Sequence, residues 1–396
     1  MMANLGEFRG EVRAWLEENC PPGARGEGQV PTGSTKIRIH DTDVVLWLER
    51  MAEKGWTVPT WPEEYGGAGL STAQYIALIE EMKAIDARPP LGGMGVSMIG
   101  PTLLEYGTDQ QKQQHLKKIA LGELAWCQGY SEPGSGSDLA SLSTRAEDAG
   151  DHYVINGQKI WTSGAQFADW MFCLVRTNPD VPKHDGISFV LLTMEQPGVT
   201  VKPIRLISGV SPFCETFFDD AQAQKSDLVG ELNKGWTVGK RLLQHERSGM
   251  LSLVGAQSRD PGPSLVEVAQ AYVGLDDNGK LADTANRAQI IQYQINNAAF
   301  GLTKKRTVQE ADGGNTPGPA TSIFKMYGTE LQQEKSALMC SLKGSMGYGW
   351  NDSDNFSEDD LEWTRTWLGN RAASIYSGTN EIQRNIIAKR VLGLPD

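Results

Sequence analysis

Apolar residues recur at helical spacing over the first part of the chain and over the last, with short β-like runs between them. Phe8, Val12, Trp15 and Leu16, interleaved with Glu7, Glu11, Glu17 and Glu18, predict an amphipathic first helix; that acidity argues against an import signal. Val44, Leu48 and Met51 share one face. Ser71 followed by Gln74 is a capping box that opens a helix carrying Ile79, Met82 and Ile85, and Thr108 with Gln111 repeats the device. From about Ala125 to Gly235 the period changes. Met171 to Val175, Ile187 to Leu192 and Val199 to Ile204 predict strands, and Tyr153-Val154-Ile155, Asn156-Gly157, Lys159-Ile160-Trp161 predicts a hairpin closed by a type I′ turn. From Trp236 onward long helical periods return, broken by loops at 259–263 and 312–317. The pattern predicts an α+β chain with domains over 1–123, 124–234 and 235–396, not the alternating βαβ of a doubly wound sheet.

Composition removes several function classes. The chain has 396 residues, 37 Lys plus Arg against 49 Asp plus Glu, and a net charge of −12 without a basic run, so a nucleic-acid partner is not expected. Cys20, Cys127, Cys173, Cys214 and Cys340 include no CxxC pair and read as thiols of a reducing cytosol. The histidines are as dispersed, so no metal cluster is expected. No apolar stretch approaches the ~20 residues of a membrane span.

No GxGxxG follows a strand, which argues against NAD held in a βαβ crevice. The glycine-rich run is instead Ser131-Glu132-Pro133-Gly134-Ser135-Gly136-Ser137-Asp138, where small residues let backbone N–H groups approach an anion. A solvent loop has the same composition. Further on, Lys159-Ile160-Trp161-Thr162-Ser163-Gly164 ends a β run with an indole and two hydroxyls, which suits a flat heteroaromatic cofactor or a core tryptophan equally.

The order and separation of these runs resemble the acyl-CoA dehydrogenase family over most of the chain. The match also takes in Trp61-Pro62-Glu63-Glu64-Tyr65-Gly66-Gly67, Phe217-Phe218-Asp219-Asp220, Gly235-Trp236, Glu246-Arg247 and the C-terminal run from Ile375-Tyr376-Ser377-Gly378-Thr379-Asn380-Glu381 to Pro395. It is nearest to bacterial members that form the large subunit of two-gene pairs, such as pimeloyl-CoA dehydrogenase. The resemblance implies an N-terminal helical domain, a middle β-barrel domain and a C-terminal four-helix bundle, with FAD between the last two. It places Gln128, Tyr130, Ser131, Thr162 and Ser163 along the flavin, Trp161 on its ring face, and Thr379 and Glu381 at contacts from the last domain. Gly136 and Ser137 would lie near the pyrophosphate and the substrate's pantetheine, and Tyr376, Gly378 and Arg247 near the acyl-CoA.

The activity so implied is α,β-dehydrogenation of an acyl-CoA to a trans-2-enoyl-CoA, with electrons passed to an electron-transfer flavoprotein in a bacterial cytoplasm. Many members carry their catalytic glutamate where this chain has Ser377, and a hydroxyl is no substitute for a carboxylate base. Glu246 matches the family's alternative base position, while the Ser377 backbone N–H keeps the oxyanion role. His245 lies about 100° around the same helix from Glu246. On the residues alone, Glu246-Arg247 also reads as a solvated helix pair. Arg88 sits at a spacing from Pro101 similar to an arginine that grips a distal carboxylate; it also reads as a loop arginine beside Pro89 and Pro90.

Two departures bear on assembly. An Arg followed by Phe-Gly that reaches a neighbour's FAD is missing from Gln257-Ser258-Arg259-Asp260-Pro261-Gly262-Pro263-Ser264. The Gln-x-x-Gly-Gly-x-Gly-Tyr pattern appears as Ser341-Leu342-Lys343-Gly344-Ser345-Met346-Gly347-Tyr348. These losses imply a tetramer built with a second acyl-CoA dehydrogenase-like subunit, a heterotetramer. Other chemistry on the same fold (desulfination or oxidation) and a non-catalytic subunit are the alternatives.

Overall fold

The computed structural model describes the backbone of residues 2–255, 263–312, 322–351 and 354–395, and the side chains of these except 2–4, 246–255 and 308–312. The loops expected at 259–263 and 312–317 lie almost wholly outside the described residues. The chain divides into two compact units, Met1–Ile204 with Pro212–Ser258, and Arg205–Ser211 with Arg259–Asp396.

The first unit opens with α1 (Met2–Asn19), α2 (Thr42–Glu53), α3 (Thr72–Ala84), α4 (Gly100–Tyr106) and α5 (Asp109–Ala120). Val12, Leu16, Val44, Leu48 and Met51 are all buried, as their spacing predicts. Both expected capping boxes form: the Ser71 hydroxyl accepts from the Gln74 N–H and the Thr108 hydroxyl from the Gln111 N–H. Each Gln side chain returns the bond to the cap backbone, so two orphan donors at each helix start are satisfied.

An eight-stranded sheet follows, built from β1 (Trp126–Gly129), β2 (Arg145–Asp148), β3 (His152–Ser163), β4 (Trp170–Arg176), β5 (Ile187–Thr193), β6 (Val199–Ile204), β7 (Phe213–Gln224) and β8 (Leu228–Val229). The strand order is β6-β7-β3-β2-β4-β5-β8, with β1 parallel to β4. β4, β5 and β6 coincide with the apolar runs read from the sequence. The Asn156-Gly157 hairpin does not form: both residues lie inside β3, which pairs antiparallel with β2 on one side and β7 on the other. Gly157 is needed for a different reason. Its φ is +148°, and a Cβ there would come 2.8 Å from the Thr144 Cα. The strand bulges here, and Asn156 closes the bulge by accepting from the Asp220 N–H and donating to its carboxylate, at 2.8 and 2.9 Å.

One core joins helices and sheet, with Trp61, Leu103, Leu116 and Ile119 against Phe172, Phe189 and Leu191. α6 (Gly235–Gly255) belongs to this unit, and its Val238 and Leu242 enter the same core. The second unit contains α7 (Leu265–Tyr272), α8 (Thr284–Asp312), α9 (Ser322–Lys343), α10 (Glu358–Gly369) and α11 (Asn380–Ile386). Its core is Leu265, Val268, Ile290, Tyr293, Leu331, Met339 and Leu342. Among the described residues no helix is long and apolar enough to cross a membrane, and no His/Cys/Asp/Glu group could hold a metal ion.

Candidate active site

In the first unit the glycine-rich run and the end of β3 meet. The Ile160 N–H donates to the Ser131 carbonyl at 2.9 Å. Lys159 Nζ donates to the Tyr130 carbonyl at 3.0 Å and to Glu132 Oε1 at 2.8 Å. Just beyond, the β3–β7 register slips between Lys159 and Thr162, a second bulge. Trp161 sits in that bulge with φ +60°, left-handed backbone that a bulky residue seldom adopts. The bulge turns the indole outward: Trp161 is 51% exposed, its edge against Phe213 at 5.9 Å.

The remaining predicted residues of this unit fall into distinct environments. Tyr130 is buried, edge-on to Phe172 and Phe189, and its hydroxyl donates to the Gly239 carbonyl of α6 at 3.4 Å. Ser131 and Ser163 are half-buried, while Gly136 and Ser137 are exposed at the loop tip. A Cβ on Gly136 would meet nothing within 4 Å, so this loop leaves its backbone approachable. Gln128 Nε2 is buried without a hydrogen-bond partner among the described residues. A buried amide donor in that state needs an acceptor. Thr162 is fully buried, and its hydroxyl is spent on the Cys214 carbonyl and Thr216 Oγ1, each at 2.9 Å. Only its backbone is left to serve a ligand.

Glu246 and Arg247 lie on α6, but their side chains are outside the described residues. Just before them on α6, Arg241 Nε and His245 Nε2 pair with Glu105 of α4 at 2.7 and 3.3 Å. Burial, with Arg241 adding to it, pushes the His245 pKa down. Arg88 is half-buried, and its guanidinium donates to the backbone carbonyls of Gly23 and Glu27, while its own carbonyl accepts from Trp47 Nε1. It clamps the N-terminal loop, and nothing in its contacts belongs to the site above.

In the second unit the C-terminal run forms a tight turn. Ser377 has φ +52° and Gly378 φ +83°, and Thr379 then caps α11, its hydroxyl accepting from the Ile382 N–H at 3.2 Å. Tyr376 is 47% exposed. The turn is fastened from beneath by Asn380, 3% exposed, whose Oδ1 accepts from Lys325 Nζ and Thr329 Oγ1, both at 3.1 Å. Glu381 is exposed, and its own backbone N–H with the Thr379 side chain holds its carboxyl below the ordinary range.

The family resemblance assigns Glu132 and Lys159 no role, yet they form a buried ion pair. Glu132 also accepts from the Ser143 N–H, the Ser143 hydroxyl and the Thr144 N–H, at 2.7, 2.9 and 2.9 Å. Burial pushes the Glu132 pKa up, but Lys159 and these donors outweigh it and bring the carboxyl down to about 2. The available signal is that Lys159 keeps the alternation of Tyr153 and Ile155, an inward position where a lysine demands a buried counter-charge.

An outward indole in strained backbone, an orphaned amide donor and an open glycine loop fit a planar cofactor with an anionic tail. Profiles of the acyl-CoA dehydrogenase N-terminal, middle and C-terminal domains match residues 4–123, 127–221 and 233–392. Acyl-CoA dehydrogenase IpdE1 of Mycobacterium tuberculosis is 38% identical over 100% of this chain and 99% of its own length. IpdE1 of Mycolicibacterium smegmatis is 36% identical over 100% and 99%. Among solved structures, the Tcur3481-Tcur3483 steroid ACAD is similar with TM-score 0.74 and 29% identity over 99% of this chain and 98% of that one. The ChsE4-ChsE5 complex from M. tuberculosis gives 0.72 and 28% over 99% and 98%. Members of this family are FAD-dependent oxidoreductases acting on CH–CH bonds. The chain belongs to the acyl-CoA dehydrogenase family, with all three of its domains.

Proposed function

We propose that the protein desaturates a CoA thioester between Cα and Cβ to the trans-2-enoyl-CoA and passes the electrons to an electron-transfer flavoprotein. The observation that carries this reading is the Trp161 indole, turned out of β3 by a bulge one residue after Ile160, whose N–H bonds Ser131 at the head of the Ser131–Ser137 loop. FAD supplies the hydride acceptor. Trp161 offers its ring a face, Gln128, Tyr130, Ser131, Ser163 and the Thr162 backbone hold its polar edge, and Thr379 and Glu381 add contacts from the C-terminal run. Gly136 and Ser137 accommodate pyrophosphate and pantetheine.

Glu246 takes the α-proton. Removing it builds charge on the thioester oxygen, and the Ser377 N–H, set by a left-handed turn, donates to that oxygen. Arg247, Tyr376 and Gly378 flank the acyl-CoA. Arg88 is spent on Gly23 and Glu27, so a distal carboxylate is not part of this proposal. The similarity to a steroid ACAD supports a bulky polycyclic acyl group instead. The domain division 1–123, 124–234 and 235–396 is proposed with it, as is a bacterial cytoplasmic location.

We also propose a heterotetramer with a second acyl-CoA dehydrogenase-like subunit. At 344–348 the turn is kept: a Cβ on Gly347 would come 2.3 Å from the Cys340 carbonyl oxygen. Tyr348 beyond it is 84% exposed, and the Gln and second Gly of the family pattern are Ser341 and Ser345. The similar Tcur3481-Tcur3483 steroid ACAD and the ChsE4-ChsE5 complex each join two different proteins, which supports this assembly.

The test is Glu246→Gln, produced with and without its partner. It should retain flavin and ligand yet lose thioester-dependent flavin bleaching by orders of magnitude, because the amide is a near isostere without basicity. Near-wild-type bleaching would remove Glu246 as the base. A homotetramer with one tight FAD per chain would remove the heteromer and leave the dehydrogenation reading standing.

A further inference from the structure

The segments proposed to touch the cofactor, 128–137 and 161–163, are distant in sequence and joined by one buried ion pair. Lys159 is 0% exposed and Glu132 6%. Every bond of the pair named above runs to one segment or its stem: Lys159 to Tyr130 and Glu132, Glu132 to Ser143 and Thr144. Within the loop Glu132 and Ser135 exchange both backbone bonds at 3.0 Å and Gly134 and Gly136 stand in open space; on the far side Asp138 bridges to Lys183, exposed, at 2.7 Å.

Two charges buried this deeply are costly to desolvate, and an apolar pair of similar volume is commonly as stable. Their distinguishing contribution is geometry. Lys159 is the last residue in register before the bulge, Ile160 bonds Ser131, and Trp161 follows in left-handed backbone. The height of the indole over the loop is therefore set where Lys159 meets Glu132.

We infer that Glu132 and Lys159 are positioning residues of the flavin site, holding the Trp161 face and the Ser131–Ser137 loop at one spacing. The inference rests on the reading of Trp161 as the flavin-facing residue. Neither side chain takes part in proton transfer.

The test uses the holoprotein, with its partner if one is needed, as Lys159→Met, Glu132→Gln, the double variant, Lys159→Arg and Trp161→Ala. Flavin-to-chain ratio, FAD dissociation constant, the visible flavin band and far-UV circular dichroism are measured on each. Lys159→Met and Glu132→Gln should raise the FAD dissociation constant tenfold or more and shift the visible band, with the far-UV spectrum unchanged. Lys159→Arg should recover part of the affinity. The double variant should regain thermal stability, because no charge is left unpaired, without regaining affinity. If a single variant does not fold, the double variant decides. Recovery of wild-type FAD affinity in the double variant, or wild-type affinity in folded Lys159→Met, overturns the inference. Unchanged flavin binding in Trp161→Ala defeats the underlying reading instead, so the two failures are distinguishable.

Discussion

His115 on α5 offers a sharp energetic test of the helix–sheet core. It is 1% exposed, edge-on to Trp126 at 5.0 Å and Trp170 at 4.7 Å, and neither ring nitrogen has a partner among the described residues. Burial, with a smaller push from Lys118, brings its pKa from 6.5 down to about 4. The unfolded chain takes up that proton from pH 6.5 downward and the folded chain only near 4. Stability linked to His115 is therefore full above 6.5, declines as pH falls to about 4, and levels off below. At about 1.4 kcal/mol per pH unit the whole step is worth about 3.5 kcal/mol, of which about 2.5 is gone by pH 4.5. Buried Asp227, pushed up to about 6 by burial, acts with opposite sign across an overlapping window, since its folded form holds a proton that the unfolded chain has lost. Carboxylates held low in the fold, Glu132 among them, add a further loss toward pH 4.5, so the wild-type profile alone mixes several effects. The difference between wild type and His115→Phe isolates one of them. The variant removes two unsatisfied nitrogens and keeps an aromatic ring between the tryptophans, so it should be neutral to about 2 kcal/mol more stable at pH 7.5. By pH 4.5 its advantage should grow by about 2.5 kcal/mol. Urea unfolding at both pH values, followed by tryptophan fluorescence, measures this. Parallel profiles for the two proteins would refute the reasoning.

Trp161→Ala should weaken FAD retention by about 1–3 kcal/mol or more, read as flavin-to-chain ratio after dialysis; a full complement of flavin would make the indole a surface ornament of the bulge. Ser377→Ala should leave turnover within a few-fold of wild type, because the proposed role uses only the backbone N–H, whereas Gly378→Ala should cost about 1–2 kcal/mol by placing a Cβ in left-handed backbone. That Cβ would also meet Gln383 Nε2 at 2.6 Å, so steady-state rates and melting of the pair separate side-chain from backbone roles.

What could be read from the chain follows the range of the interactions concerned. α1, α2 and both capping boxes rest on neighbours within a turn, and β4 and β5 on unbroken apolar runs, so all are visible in a window of about ten residues. Asn156-Gly157 carries a genuine local turn signal, and the sheet overrides it by pairing β3 with β2 and β7 at once. The Lys159–Glu132 bond spans 27 positions, and nothing in either local run names the other. The family resemblance lies in the joint order of the motifs and in no single one of them. Arg88 shows the complementary limit: its spacing matched a substrate-gripping arginine, while its surroundings, Gly23, Glu27 and Trp47, put it to work holding a loop.

In the proposed mechanism the base is Glu246 and the Ser377 N–H is the oxyanion donor, and the Ser377 turn is compatible with that separation. The turn's shape owes little to the side chain at 377. It depends on Gly378 accepting φ +83° and on Thr379 capping α11. Below it, Lys325 donates to the Ala373 carbonyl at 2.9 Å and to Asn380, whose N–H returns to the Ser374 carbonyl at 2.9 Å. Those contacts hold the backbone of 373–380 against α9 whichever residue stands at 377. A carboxylate there can therefore be exchanged for a hydroxyl while the N–H stays where it was. The proton-abstracting role then needs only one well-placed carboxylate elsewhere, and Glu246 on α6 is the one that matches the family's second position. On this argument the base and the oxyanion donor are separable parts, which is why Glu246→Gln and Gly378→Ala should fail in different ways: the first in the chemical step with ligand still bound, the second in the turn itself.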